Sequence, residues 1–252
     1  MKKSMSPAKQ VKNLFYVCMI ILISSCGEER MAQRIVDNAI QAHGGRNYEN
    51  LELEFDFREY HYRMKNNGGL YAYERVFEDS LGNSIIDKLT NNGFIRTVNG
   101  DPVDLTEERE NAFKSSVNSV FYFALLPYRL NDPAVKKKMV GSSSIGGVDY
   151  QVIEVTFEEK GGGEDYEDVF YFWFREDKYY MDYIAYSYNT DGGGVRFRES
   201  KNPRIESGIR FQDYNNYTPN KSNTPIHELE RMFVRGELVL LSEITMDNLK
   251  VE

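Results

Sequence analysis

Apolar residues recur along this chain with two periods, and the change from one to the other separates helices from strands. From Glu28 to Ala42 the positions Ala32, Ile35, Val36, Ala39 and Ile40, continued by His43, keep the i, i+3, i+4, i+7 spacing of a helix with one buried stripe. Gly44-Gly45 then supplies the left-handed residue that favours a helix end. From Leu51 the period falls to two: Leu51, Leu53, Phe55 and Phe57 alternate with Glu52, Glu54, Asp56 and Arg58, as in a strand with one wet face and one buried face. Further strands are predicted over 70–79, 84–90 and 94–98, with Asn-Gly steps at 67–68, 92–93 and 99–100 suited to tight antiparallel turns.

The segment 104–126 predicts a long helix. It opens on Asp104-Leu105-Thr106-Glu107, a capping-box pattern, stops before Pro127, and is apolar nearly all round in its second half, so that end should be enclosed by sheet. Strands resume over 150–158, 169–175, 179–188, 195–199 and 209–217, with glycine triplets at 161–163 and 192–194. Val169-Phe170-Tyr171-Phe172-Trp173-Phe174 is aromatic on both faces and fits a central strand covered on both sides. Thr224-Pro225 opens a short helix to about Arg235, and a last strand runs from Leu238 to Met246. Without internal repeats or a Pro/Ser-rich linker, 30–252 reads as one α+β domain: a single strongly curved antiparallel sheet with helices on its concave face.

The first 25 residues read differently. A basic start (Lys2, Lys3, Lys9, Lys12) precedes a ten-residue apolar run from Leu14 to Ile23. A spanning helix needs ~20 apolar residues, so this run fits a cleaved signal better than an anchor. Ile23-Ser24-Ser25-Cys26 resembles the bacterial lipobox, which implies cleavage before Cys26, acylation of its thiol by palmitate-type chains, and a short tether over 26–29. Cys18 would leave with the signal, so the mature chain of 227 residues has no possible internal disulfide and depends on its core. A chain of that size buries roughly 70% of its unfolded surface.

Charge removes one class of partner. The net charge of −8 becomes −12 once the four signal lysines are gone, which argues against nucleic acid, whose binding depends on Lys and Arg. It also argues against adsorption to anionic lipid heads, leaving the acyl chains on Cys26 as the link to a membrane.

Several motifs resemble known families. "RIVDNAIQAHGG" at 34–45 and the alternating strand after it look like the start of the LolA-like fold, a half-barrel of periplasmic lipoprotein carriers. "LNDPAV" (130–135), "GGGEDYEDVFYFWF" (161–174), "MDYIAYSYNTDGGGVRFRE" (181–199) and "GIRFQDYNNY" (208–217) resemble an uncharacterised family of Bacteroidota lipoproteins, domain-of-unknown-function family 6503. That resemblance covers nearly the whole mature chain and implies no established activity. It does imply an address: Glu28 and Glu29 behind Gly27 look like the acidic signals that send such lipoproteins to the outer membrane, on its periplasmic or surface face. Some relatives carry an aldolase label, yet a Schiff-base aldolase needs a desolvated lysine among alternating strands and helices, and only about three helices are visible here.

Candidate chemistry is sparse. Glu164, Asp165, Glu167, Asp168 and Asp191 could hold calcium, which takes six to eight oxygens, or they are solvated turn groups; their spacing matches no EF-hand loop. Paired carboxylates at Asp165 and Asp168, or Asp182 and Asp191, are the residues an envelope hydrolase would use. His43 ends a helix, His61 falls in a strand and His227 in a late helix, none within a nucleophile or metal motif, and nothing calls for a cofactor. Tyr171, Tyr180, Tyr183, Tyr186 and Tyr188 either line a cavity for a lipid or glycan or serve as strand-forming core. Three readings follow: a non-enzymatic binder or carrier of an apolar ligand, a hydrolase acting through carboxylates, or a scaffold lipoprotein.

Overall fold

The computed structural model describes residues 27–161, 166–189, 192–221 and 223–252. Helix α1 covers 27–43 and passes through a 3-10 turn (Gly45–Glu49) into β1 (Asn50–Phe57), β2 (Tyr60–Asn67), β3 (Leu70–Glu78), β4 (Ser84–Thr90), β5 (Gly93–Val98) and the two-residue β6 (Asp101–Pro102). Helix α2 (Glu107–Ala124) leads to β7 (Val135–Ile145), β8 (Val148–Phe157), β9 (Val169–Arg175), β10 (Met181–Tyr188), β11 (Gly194–Glu206) and β12 (Ile209–Thr218). A short helix α3 (Leu229–Val234), β13 (Val239–Ile244) and β14 (Asp247–Val251) follow.

The architecture is α+β, but the strands form two antiparallel sheets where the hydrophobic pattern predicts one curved sheet. The first runs β14-β1-β2-β3-β4-β5-β6 and the second β13-β12-β11-β10-β9-β8-β7. The ladder breaks between β13 and β14 because side chains take the backbone groups at the junction. The Met246 amide donates to Asp213 Oδ1 (3.1 Å) and its carbonyl accepts from Arg204 Nη2 (2.9 Å), while Arg204 Nη1 also donates to Asp213 (3.0 Å). Backbone groups satisfied in this way are unavailable to a neighbouring strand. At the other end, α2 separates β6 from β7.

Each sheet has its own helix. The stripe Ala32, Ile35, Val36, Ala39 and Ile40 is buried as its spacing predicts and packs on Ile153, Val155, Phe172, Phe174 and Ile184 of the second sheet. Burying each large side chain of such a stripe stabilises by ~1.5–3 kcal/mol. Helix α2 sets Val117 and Phe121 against Leu53, Phe55, Tyr62 and Tyr73 of the first sheet. Its N-cap is Thr106, whose hydroxyl accepts from the Arg109 amide, so the cap lies two residues beyond Asp104 and, with Arg109 at the third helical position, it is a simple N-cap and not the expected capping box.

The helices do not all share one side. Trp173 on β9 faces away from Phe172 and Phe174, packs in the cluster that holds Leu229 and Phe233 of α3, and donates Nε1 to Glu230 (2.8 Å). Strand β9 is therefore covered on both faces, as its aromatic run predicts, and the second sheet is a three-layered sandwich of α1, strands and α3.

Candidate functional site

A cavity of about 550 Å³ lies where the two sheets and α2 meet. Strands β1 and β2 contribute Phe55, Phe57, Tyr60 and Tyr62; α2 contributes Ser116, Ser119, Val120 and Phe123; β13 and the residues after it contribute Leu241, Ile244 and Met246. Positions 116, 119, 120 and 123 are spaced i, i+3, i+4 and i+7 and so form one helical stripe, separate from the Val117–Phe121 pair that packs on the sheet. The two serines are small and leave space where large apolar residues would close it. The volume falls in the ~300–1,000 Å³ range of small-molecule sites.

The opposite wall is polar. Tyr186 of β10, Arg196 and Arg198 of β11, and Gln212, Tyr214 and Asn216 of β12 line it, with Arg58 and Arg75 added from the first sheet. Asn216 stands directly across from Arg198 in the β11–β12 register. The Arg198 guanidinium donates from Nη2 to the Tyr186 hydroxyl (2.8 Å) and lies 3.9 Å over the Phe123 ring. Gln212 Nε2 donates to the Met181 carbonyl (2.8 Å) and to the Tyr214 hydroxyl (2.9 Å), and burial pushes that hydroxyl up to about 12, so it stays neutral. Among the described residues, the cavity lining holds no carboxylate, histidine or cysteine.

Arg75 is held differently. It donates from Nε and Nη2 to Asp87 Oδ2 (3.0 and 2.6 Å) and from Nη1 to Ser116 of α2 (2.8 Å). Asp87 is fully buried and also accepts from Arg96 (2.5 and 2.8 Å), whose guanidinium lies 3.5 Å over Phe113 of α2. This carboxylate between two guanidiniums fastens α2 to the first sheet at the cavity's edge.

A family model matches residues 10–246. The chain belongs to a family of unknown function, DUF6503. No curated protein matches this DUF6503 chain significantly. Among solved structures it is similar to a LolA superfamily protein from Nitrosomonas europaea, at 11% identity and TM-score 0.49, covering 88% of this chain and 91% of that one. It is also similar to a DUF1329 family protein from Desulfovibrio piger (10% identity, TM-score 0.42, 87% and 92% covered). A third is a domain described as an outer membrane lipoprotein-sorting protein, from Vibrio parahaemolyticus (8%, 0.43, 82% and 99%). At such identities and scores these likenesses carry no functional information.

Of the candidate site residues singled out by pattern, only Tyr186 lines the cavity among the described residues of the DUF6503 chain. Tyr171 donates to Glu154 (3.0 Å), Tyr183 packs against Phe197 and Phe233, Tyr180 lies under Arg210 and beside His43, and Tyr188 lies under Arg196. Asp182 accepts from Tyr150 (3.0 Å), and burial raises its pKa. His43 is buried and its Nε2 accepts from the Met181 amide (3.1 Å), a packing role at the end of α1. His61 is bonded to Asp56 (2.7 Å), and His227 sits in the 3-10 turn Ile226–Glu228.

Cys26, with the whole signal, lies outside the described residues, as do Glu164, Asp165 and Asp191 of the acidic group. Asp168 is buried and Glu167 accepts from Asn189 (3.5 Å); among the described residues no three His, Cys, Asp or Glu side chains cluster as a metal site. Among those residues, also, no helix is long and apolar enough to cross a membrane. Pattern reading misses the wall residues Arg196, Arg198, Gln212 and Asn216. The available signal was polar residues at period two within strands whose flanking positions are apolar, such as Val195 and Phe197 beside Arg196 and Arg198.

Proposed function

We propose that this chain is an exported envelope lipoprotein, anchored through acyl chains on Cys26, that binds an apolar ligand between α2 and the two sheets without transforming it. The observation that carries the binding reading is the 550 Å³ cavity itself, with aromatic and aliphatic side chains on one wall and, among the described residues, no carboxylate, histidine or cysteine in its lining. A scaffold protein has no need of such a volume, since interiors close to ~0.75 packing density when nothing else must enter. A hydrolase acting through carboxylates would place them at a cleft, and Asp182 is engaged elsewhere by Tyr150.

Export, the anchor and an outer-membrane address rest on the signal-like first 25 residues, on the lipobox-like Ile23–Cys26, and on Glu28 and Glu29 behind it. Native mass spectrometry of the Cys26→Ser chain recovered from cells tests the binding reading. Co-purifying lipid that disappears when Ser119→Leu narrows the cavity supports it, and consistently empty protein that also refuses added fatty acid or fatty alcohol rejects it. Intact mass of the unaltered protein from its native host tests the anchor, with a mature chain starting at acylated Cys26 as the expected result.

A further inference from the structure

We infer that the cavity takes an anionic amphiphile, with an acidic head at Arg198 and a hydrogen-bond donor of that head on Gln212; this deepens the apolar-ligand reading and rests on it. Among the described residues, four arginines and no carboxylate line the cavity of a chain whose net charge is −8, so positive charge is concentrated there against the trend of the molecule. Arg75 is already paired with Asp87. Arg198 is not: it is 8% exposed, and among the described residues it hydrogen-bonds only the hydroxyl of Tyr186, its Nε has no acceptor, and it forms no ion pair. A buried cation without a counter-charge is costly, and buried arginines are ordinarily paired, as Arg75 is with Asp87 in the first sheet.

The second observation is an unpaired acceptor. Gln212 is 5% exposed, and its buried Oε1 has no partner among the described residues. Its amide cannot simply turn over, because Nε2 donates to the Met181 carbonyl, which only accepts. Asn216, opposite Arg198, likewise has a buried Oδ1 without a partner among the described residues. A cation and free acceptors on one wall call for a head that offers an anion together with an N–H or O–H donor. The facing wall of Phe55, Val120 and Met246 calls for a hydrocarbon tail. An acyl chain ending in an amide and a carboxylate meets both demands; a neutral alcohol leaves Arg198 unpaired, and a small free anion leaves the aromatic wall uncovered.

The Cys26→Ser chain is titrated calorimetrically with N-palmitoylglycine, palmitate, hexadecanol and inorganic phosphate. Palmitate should bind at least tenfold more tightly than hexadecanol, N-palmitoylglycine more tightly still, and phosphate should show no binding at millimolar concentration. Arg198→Gln should weaken palmitate at least tenfold while changing hexadecanol less than twofold, Arg198→Lys should keep most of the preference, and Gln212→Leu should close the gap between N-palmitoylglycine and palmitate. Equal affinity for palmitate and hexadecanol overturns the inference, as does phosphate binding as tightly as palmitate, or an equal loss for both amphiphiles in Arg198→Gln. Should Arg198→Gln not fold, the ranking of probes on the unaltered site decides alone. Hexadecanol binding with no anion preference sinks this inference and spares the apolar-ligand reading; failure of every amphiphile to bind removes both.

Discussion

Helices α1 and α2 each cover a seven-stranded sheet, but only one of them seals it. α1 places five apolar side chains and His43 against the second sheet, all of them 7% exposed or less. α2 has two inner stripes. Val117 and Phe121 are fully buried against the first sheet, whereas Ser116, Ser119, Val120 and Phe123 look into the cavity. The seam next to α2 is then held by polar groups, Arg75, Asp87, Arg96 and Ser116, in place of close-packed hydrocarbon. The difference teaches how one fold builds both a core and a site: a helix with one wide apolar stripe closes its sheet, and a helix whose stripe is split by serines leaves volume that a charged network must border.

Breaking that network should give the largest effect. Asp87→Ala leaves two inward guanidiniums without their shared carboxylate and should cost ~3–5 kcal/mol in urea unfolding, the range for a broken buried pair. A loss below one kcal/mol would mean that α2 is held by apolar contacts after all. On the sealed side, Ile35→Ala should cost ~2–5 kcal/mol through an unfilled core volume, with the same experiment as its check. A loss much smaller than this would remove the claimed contrast between the two helices.

His43 sharpens the comparison through pH. Burial first, and then the positive charge of Arg210, lower its pKa from 6.5 to about 3 in the folded protein. The unfolded chain thus takes up a proton below pH 6.5 that the folded chain refuses. Its contribution is complete above pH 6.5 and is lost as pH falls toward about 3, at ~1.4 kcal/mol per pH unit. Stability measured from pH 7 to 4 should fall less steeply in His43→Gln; identical slopes would place His43 in contact with water. The smallest effect belongs to the cavity stripe, where Ser119→Leu should change stability by no more than ~0.5 kcal/mol while reducing ligand occupancy. A large stability change there would mark Ser119 as structural.

Much of the sealed half was legible in the sequence. The α1 stripe and the two-sided β9 follow from spacing and from aromatics on both faces, because their environment is uniformly apolar. Edge strands were not. β7 begins Val135-Lys136-Lys137-Lys138 and carries a polar surface, and β14 is a short exposed strand whose partner, β1, is some two hundred residues away. Without β14 as a separate element, the break between two sheets cannot be anticipated, since it depends on Arg204 and Asp213 capturing Met246. The site was the least legible part. Arg198, Gln212 and Asn216 look like ordinary wet-face residues until the register sets β11 beside β12 and α2 leaves a gap above them.

The most direct test is a crystal structure of the Cys26→Ser chain with hexadecanoic acid brominated at its tail, read from the anomalous signal of bromine. The account predicts a bromine peak between α2 and the first sheet, in contact with Phe55 or Val120. A bromine peak found only on the outer surface, with the space under α2 holding ordered water, would contradict it.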